Sequence, residues 1–105
     1  MEELELICFQ LITAAGEAKS AYMEAVSRAK KGLFDEARQL IEKGNQKLIQ
    51  GHKPHTDLIQ KEAAGDDLKV SLILLHAEDQ MMSSECFCVM AEEMIALYEL
   101  LYQKQ

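Results

Sequence analysis

The fold of this chain is decided by residues 68–103, which read LKVSLILLHAEDQMMSSECFCVMAEEMIALYELLYQ. Within this stretch a glutamate recurs at every seventh position, at Glu78, Glu85, Glu92 and Glu99. Because a spacing of seven residues keeps side chains on one face of a helix, the pattern predicts a long helix with an outward acidic stripe. If the glutamates are f positions of a heptad, most a and d positions are apolar. Such a heptad predicts coiled-coil packing, within the chain or between chains.

The first half of this apolar seam is interrupted by polar residues. His76 and Ser83 fall at d positions, Gln80 falls at an a position, and Asp79 lies beside them at a g position. Desolvating a polar group without a partner costs about 1–3 kcal/mol by mutational measures. One polar residue in a seam often sets the helix register, but three in succession beside a carboxylate indicate a functional site. The other a and d positions are Ile73, Phe87, Met90, Met94, Leu97 and Leu101.

Two further helices are predicted before this one. The first covers about residues 3–31 and ends at Gly32. Its middle is rich in small residues that let a neighbouring helix come close, and Gly16 marks the expected point of closest approach. The second helix begins with Asp35 as its N-cap and is closed by Gly65.

Two local signals complete the helix pattern. Pro54 removes a backbone donor and predicts a kink or break in the second helix. Asp66 or Asp67 is the expected N-cap of the third helix. The chain contains a single proline, and 49% of its 105 residues are hydrophobic, which argues against disorder. These features predict one all-α domain over residues 1–105, folded as an antiparallel, up-down-up three-helix bundle.

Charge and composition exclude several classes of function. The net charge of −7 argues against nucleic acid as a partner, because phosphate backbones require clustered Lys and Arg. No apolar run approaches the roughly 18 residues that a membrane span needs, so no direct membrane insertion is expected. The acidic residues 1–5 do not resemble a secretory signal. The cysteines are odd in number, which favours reduced thiols and a cytoplasmic protein.

Each residue of the polar layer has a structural and a functional interpretation. His76 can be a core histidine bonded to a backbone carbonyl, or a nucleophile toward phosphorus, since a neutral imidazole keeps one free lone pair. Asp79 can form a salt bridge to a lysine such as Lys19 or Lys47. Alternatively, three copies of Asp79 converge at the axis of a symmetric trimer, where a cation such as magnesium would relieve their repulsion.

The two remaining histidines are weaker candidates. His52 and His55 flank Pro54, which spoils the regular spacing of a metal-binding pair, so solvated surface histidines are the expected outcome. A metal-binding bundle that combines them with His76 is a further, less favoured hypothesis.

Short stretches along nearly the whole chain form an ordered series: AGEAKS (residues 15–20), Glu24-Ala25, GLFDEA (32–37), His52, Thr56, EAAG (62–65) and HAEDQMM (76–82). In this order and spacing they resemble the lactose/cellobiose-type enzyme IIA of the bacterial sugar phosphotransferase system. Each stretch is weak alone, but together they are fairly specific.

The resemblance implies a homotrimer of three-helix subunits in which the third helices meet with coiled-coil-like packing. It implies that His76 accepts a phosphoryl group from the phosphohistidine of the carrier protein HPr and passes it to a cysteine of enzyme IIB. The final acceptor would be a sugar of the lactose, cellobiose or chitobiose class, during uptake through a membrane permease. Asp79 matches the position whose three copies hold a divalent metal ion, expected to be magnesium, at the trimer axis.

This chain departs from the family pattern at several positions. Glu78 stands where the family usually has glutamine, and Gln80 stands where it usually has histidine. A carboxylate beside a phosphohistidine would repel the phosphoryl group, although the heptad register turns Glu78 outward. Pro54 falls at a position where the helix of the family is unbroken. The alternative is a non-enzymatic helical oligomerisation or interaction module, in which the polar layer serves only to set the oligomeric state.

Overall fold

Three long helices form the part of the chain that the structure, a computed structural model, describes, residues 3–105. They are α1 (Glu3–Lys30), α2 (Phe34–Ala63) and α3 (Leu72–Gln103). Helix α1 packs extensively against both other helices, whereas α2 and α3 touch each other less. The bundle measures 58 × 22 × 20 Å. The predicted all-α, three-helix fold is confirmed.

The helices alternate in direction, as ion pairs along their lengths show. On α1 and α2, Glu17 pairs with Lys47 at 3.2 Å, and Arg28, nearer the end of α1, pairs with Glu36 at 2.7 Å. The numbers rise on one helix and fall on the other, so the two helices are antiparallel. The contacts between α2 and α3 follow the same rule, which gives the predicted up-down-up topology.

Helix α1 ends at a glycine, as the sequence predicts. Gly32 has a φ of +78°, a conformation that costs glycine little because it has no Cβ. The N–H of Gly32 bonds to the carbonyl of Ala29, and the N–H of Leu33 bonds to the carbonyl of Arg28, both at 3.0 Å. These two bonds satisfy carbonyls that the end of a helix would leave free.

The start of α2 differs from the prediction. Asp35 is not the N-cap: Leu33 occupies that position, and α2 begins at Phe34. The carboxylate of Asp35 lies in the first turn, where the helix dipole favours a negative charge without a capping bond. The sequence predicts a kink or break at Pro54; α2 continues through this residue, so a break is wrong, and the kink stays a prediction. The buried Leu58 packs α2 against the core beyond the proline. The helix therefore continues although Pro54 cannot donate one backbone hydrogen bond.

The start of α3 also differs from the prediction. Neither Asp66 nor Asp67 caps this helix, which begins at Leu72. The N-cap is Ser71, whose extended backbone lets its hydroxyl accept a hydrogen bond from the N–H of Leu74 at 3.3 Å. The N–H of Asp66 instead bonds to the carbonyl of Lys61, so Asp66 is part of the turn that ends α2.

The core is built on small residues of α1. Six alanines of this helix are buried, which lets both neighbouring helices approach closely: Ala14, Ala15, Ala18, Ala21, Ala25 and Ala29. Gly16 is not the point of closest approach, because it is exposed and a Cβ there would meet nothing within 4 Å. Gly44 of α2 instead leaves room for the ring of Tyr22, because a Cβ there would fall within 2.9 Å of three ring carbons.

Candidate functional site

Helix α3 has two faces that pack differently. One face is buried within the subunit and combines three small side chains with one methionine and one isoleucine: Ala77, Ser84, Ala91, Met81 and Ile95. Most of the predicted a and d seam lies outside this buried face and is exposed, whereas Ile73, Gln80 and Ser83 of the seam are half-buried. We call the exposed side of α3 its open face. Its exposed apolar residues, at a, c, d and g positions, are Leu72, Leu75, Met82, Phe87, Val89, Met90, Met94, Leu97, Leu100 and Leu101.

The acidic stripe lies along the edge of α3 that borders α2. Glu85 and Glu92 are exposed, as predicted, whereas Glu78 and Glu99 are half-buried, so the outward prediction is wrong for these two. The buried face of α3 lies directly beside the f positions, which brings their glutamates to the edge of α2. There they meet basic side chains in an antiparallel ladder. The pairs are Glu78 with His55 at 2.7 Å, Glu85 with His52 at 4.0 Å, and Glu99 with Arg38.

The two histidines of α2 have different environments. His55 is half-buried and bonded to Glu78, so the expectation of a solvated surface histidine is wrong for it. His52 is exposed, as expected. Among residues 3–105, no group of three or more His, Cys, Asp or Glu side chains is arranged to hold a metal ion. The hypothesis of a metal site built from His52, His55 and His76 is therefore wrong for a single subunit.

His76 lies in the second turn of α3, on the open face. Its side chain is exposed and lines a surface depression together with Leu72 and Ile73. No hydrogen bond or ion pair reaches the imidazole from the described residues, so the interpretation as a core histidine is wrong. Both ring nitrogens are accessible to a partner molecule.

Asp79 is also exposed on the open face. The two lysines that were its expected partners are engaged elsewhere: the ammonium of Lys19 donates to Oε1 of Gln80 at 2.9 Å, and Lys47 pairs with Glu17. Within the described chain no cation lies within 4.0 Å of Asp79, so the salt-bridge interpretation is wrong. A free carboxylate on an apolar surface suits a magnesium ion as one oxygen ligand, but one subunit supplies only that one.

The other polar residues of the seam extend this patch. Gln80 is half-buried and receives the hydrogen bond from Lys19. The ammonium also lies 5.5 Å from the ring centroid of Phe87. The hydroxyl of Ser83 is buried without a hydrogen-bond partner in the described part of the chain. These residues extend the polar layer along α3. Sequence reasoning missed the hydrogen bond from Lys19 to this layer, although Lys19 lies in the AGEAKS stretch.

A partly buried hydrogen-bond network joins the three helices and was also missed by sequence reasoning. The Tyr22 hydroxyl donates to Oδ1 of Asn45 at 2.8 Å, and the Cys88 thiol donates to the same oxygen at 3.4 Å. Burial raises the pKa of Tyr22 and the pKa of Cys88. These groups are therefore uncharged at neutral pH and serve to hold the three helices together.

Replacing Cys8 with alanine is expected to reduce the loss of stability at high pH. Burial raises the pKa of the Cys8 thiol above its ordinary value of 9.0, and the carboxylates of Glu78 and Glu5 raise it further. The folded state therefore holds this proton more tightly than the unfolded state. Its contribution to stability is complete below pH 9.0 and is lost as the pH rises through the folded-state pKa.

Urea unfolding below and above pH 9.0 tests this prediction, with Cys86→Ala at an exposed thiol as the matched control. The control should keep the pH dependence of the wild type. A Cys8→Ala protein that loses as much stability at high pH as the wild type would contradict the prediction.

Comparisons with known sequences agree with the geometry. The family model described as PTS system, Lactose/Cellobiose specific IIA subunit matches residues 6–99. The chain is 40% identical over 98 residues to the lichenan-specific phosphotransferase enzyme IIA component of Bacillus subtilis strain 168, which covers 93% of this chain and 89% of that protein. It is 34% identical over 98 residues to the lactose-specific EIIA component of Staphylococcus epidermidis, with coverage of 93% and 94%.

Comparisons with solved structures give the same result. The crystal structure of the cellobiose-specific enzyme IIA of Bacillus anthracis superposes with a TM-score of 0.97 at 38% identity, covering 100% of this chain and 96% of that one. A chain from the solution structure of the IIA(Chitobiose)–HPr complex of Escherichia coli has a TM-score of 0.81 at 34% identity, with coverage of 97% and 99%.

The described helices contain no segment that is both long and apolar enough to span a membrane. The sequence match, the superposed helices and the exposed histidine on α3 lead to one conclusion. The chain belongs to the lactose/cellobiose-specific IIA subunit family of the PTS, the sugar phosphotransferase system, and is a phosphotransferase component.

Proposed function

We propose that this protein carries a phosphoryl group on His76 in the cytoplasm. The group would come from the phosphohistidine of HPr and leave to a cysteine of enzyme IIB, during uptake of a sugar of the lactose, cellobiose or chitobiose class by a membrane permease. The observation that carries this proposal is the exposed imidazole of His76, which has no hydrogen-bond or ion-pair partner among residues 3–105 and lies at the polar end of an apolar face. A related structure is a IIA–HPr complex, which supports HPr as the donor.

Phosphoryl transfer to and from His76 requires few chemical groups from the surrounding protein. A neutral His76 attacks phosphorus with the lone pair of one ring nitrogen and keeps its proton on the other. As the new N–P bond forms, the N–P bond of the donor breaks, and its electron pair returns to the donor imidazole. In the next step a cysteine thiolate of enzyme IIB forms an S–P bond while the N–P bond to His76 breaks. Such transfers depend on positioning and charge stabilisation, so an accessible ring on a rigid helix is sufficient.

We further propose that the protein is a homotrimer in which the apolar parts of the open faces of three α3 helices meet, with His76 left accessible at the edge of the interface. An apolar surface that runs along most of a long helix is unfavourable in water and usually marks an interface. Its heptad spacing is the spacing that parallel coiled coils use. In that arrangement the three copies of Asp79 converge, and a divalent cation, expected to be magnesium, would offset their mutual repulsion.

The open face also fits the alternative function, a helical interaction module without phosphoryl transfer. In that case replacing His76 would change assembly or stability and nothing else. The phosphorylation assay separates the two functions. The protein is incubated with enzyme I, HPr and phosphoenolpyruvate, and intact mass is measured before and after mild acid treatment. The proposal requires an acid-labile gain of one phosphoryl group, and no gain in the wild type would overturn it.

Replacing Asp79 with leucine is expected to abolish binding of one divalent ion per trimer while the trimer persists. The leucine would extend the apolar seam, and apolar groups of similar size often stabilise an interface as well as buried ionic groups do. Isothermal titration with Mg²⁺ and Mn²⁺ measures the ion, and analytical ultracentrifugation measures the assembly. Asp66→Leu, at an exposed aspartate outside the helices, is the control that should still bind the ion. Metal bound in an Asp79→Leu trimer would refute the placement.

A further inference from the structure

Lys19 is an unneutralised cation at the edge of the polar layer. Its side chain is half-buried between α1 and α3, and no carboxylate of the described chain lies within 4.0 Å of its ammonium. Five other basic side chains do form ion pairs with carboxylates, namely Arg28, Arg38, Lys47, Lys53 and Lys61. Lys19 is half-buried in a protein with a net charge of −7, yet its ammonium is bonded to an amide oxygen and not to a carboxylate. This arrangement leaves a positive charge available to an anion.

The bond from Lys19 also fixes the orientation of the Gln80 amide. An ammonium has only donors, so the amide atom 2.9 Å from it must be the oxygen. The amide NH₂ of Gln80 is therefore the group not bonded to Lys19, and it donates to no acceptor in the described part of the chain. A second contact, with the ring of Phe87 at 5.5 Å, holds the ammonium against α3. Lys19 and Gln80 together therefore offer a positive charge and an oriented N–H donor at one site.

The Lys19–Gln80 pair adjoins His76 on the open face. Residues four apart on a helix are neighbours on its surface, with Cβ atoms about 5–6 Å apart, so Gln80 follows His76 directly along the open face. The carboxylate that would repel a phosphoryl group is directed elsewhere, because Glu78 turns toward α2 and bonds to His55 at 2.7 Å. Along α3, His76 is therefore followed by the exposed carboxylate of Asp79 and by Gln80, whose amide oxygen binds the Lys19 ammonium.

We propose that Lys19 and Gln80 form an anion-holding pair for the phosphoryl group on His76, an inference that rests on the proposed function. The Gln80 amide donates to a phosphoryl oxygen. Lys19 is the positioning residue, which orients that amide and favours the dianionic phosphoryl group through its charge. Because this chain has glutamine at position 80, the donor needs no protonation and is available at every pH at which the protein is folded.

The test compares three variants with the wild type in a mixture equilibrated with phospho-HPr. Lys19→Gln removes the charge, Lys19→Arg keeps it, and Lys43→Gln removes the same charge from an exposed lysine on α2. The equilibrium constant for phosphoryl transfer to His76 is read from intact mass. It should fall about tenfold in Lys19→Gln, as expected when a charge-assisted hydrogen bond is lost. Lys19→Arg and Lys43→Gln should stay within about threefold of the wild type.

A second readout separates this role from a purely structural one. The ³¹P chemical shift of the phosphohistidine is titrated with pH, and the phosphoryl pKa should rise in Lys19→Gln because a nearby cation favours the dianion. Gln80→Ala should lower the equilibrium constant as well. The double variant with Lys19→Gln should lose less than the sum of the two single losses in free energy, since the residues act as one unit.

The outcomes distinguish this inference from the proposed function. If the wild type is phosphorylated but Lys19→Gln keeps its equilibrium constant and its ³¹P titration, the pair has no role and only this inference is overturned. An effect that Lys43→Gln reproduces would overturn it too, because net charge would then be the cause. If the wild type takes no phosphoryl group, both the proposed function and the inference fail.

Discussion

The His76→Ala protein is expected to take up no phosphoryl group from HPr, whereas the wild type takes up one. Alanine leaves α3 without an exposed nitrogen nucleophile, so the expected effect is complete loss rather than a reduced rate. The substitution should leave the fold intact, because the His76 ring is exposed and makes no hydrogen bond or ion pair with the described residues. Its effect on the free energy of unfolding should stay within about 0.5 kcal/mol, which is usual for such surface positions.

The matched control is His52→Ala. His52 is also an exposed histidine on a helix, and its contact with Glu85 is long, at 4.0 Å. This variant should be phosphorylated like the wild type. Intact mass before and after acid, with fragmentation to locate the modified residue, decides the assignment. An acid-labile phosphoryl group that persists in His76→Ala, or one that disappears in His52→Ala, would show that the nucleophile had been misassigned.

The Gly44→Ala protein is expected to lose about 2 kcal/mol or more of its free energy of unfolding. The added Cβ would lie within 2.9 Å of three ring carbons of Tyr22. The ring cannot move aside easily, because it is fully buried and its hydroxyl is bonded to Asn45. Overpacking of this kind typically costs about 1–3 kcal/mol, and displacing the ring would also break the hydrogen bond.

Gly16→Ala is the control for helix propensity. Gly16 is likewise inside a helix, but a Cβ there meets nothing within 4 Å, so alanine should stabilise the protein by about 0.5–1 kcal/mol. Urea unfolding at one fixed subunit concentration measures both variants, because the stability of an oligomer depends on concentration. The prediction is wrong if Gly44→Ala gains stability as Gly16→Ala does.

Much of the fold follows from local features that the sequence displays directly. The three helices arise from long runs of good helix formers, and Gly32 ends α1 because the chain needs a positive φ there. The other boundaries were harder to predict. Asp35, Asp66 and Asp67 all resemble caps, but a cap forms only where the backbone leaves the helix, and the packing of the last turns decides where that happens.

His76 and Asp79 stand out in the sequence as candidate site residues because polar residues interrupt an otherwise apolar seam. Their surroundings could not be predicted. Neither the bond from Lys19 to Gln80 nor the pairing of His55 with Glu78 follows from any spacing, because each contact joins residues on different helices. Contacts of that kind depend on how the helices are rotated against each other.

The sequence by itself determined that α3 has faces of different character, because a period of seven fixes which side chains share a face. Only the tertiary structure decided which face turns inward. The large apolar side chains looked like the core, yet the small ones, such as Ala77 and Ser84, fit against the alanines of α1. Close helix packing favours the rotation that lets backbones approach, and that rotation also carries the acidic stripe to α2 and leaves His76 exposed.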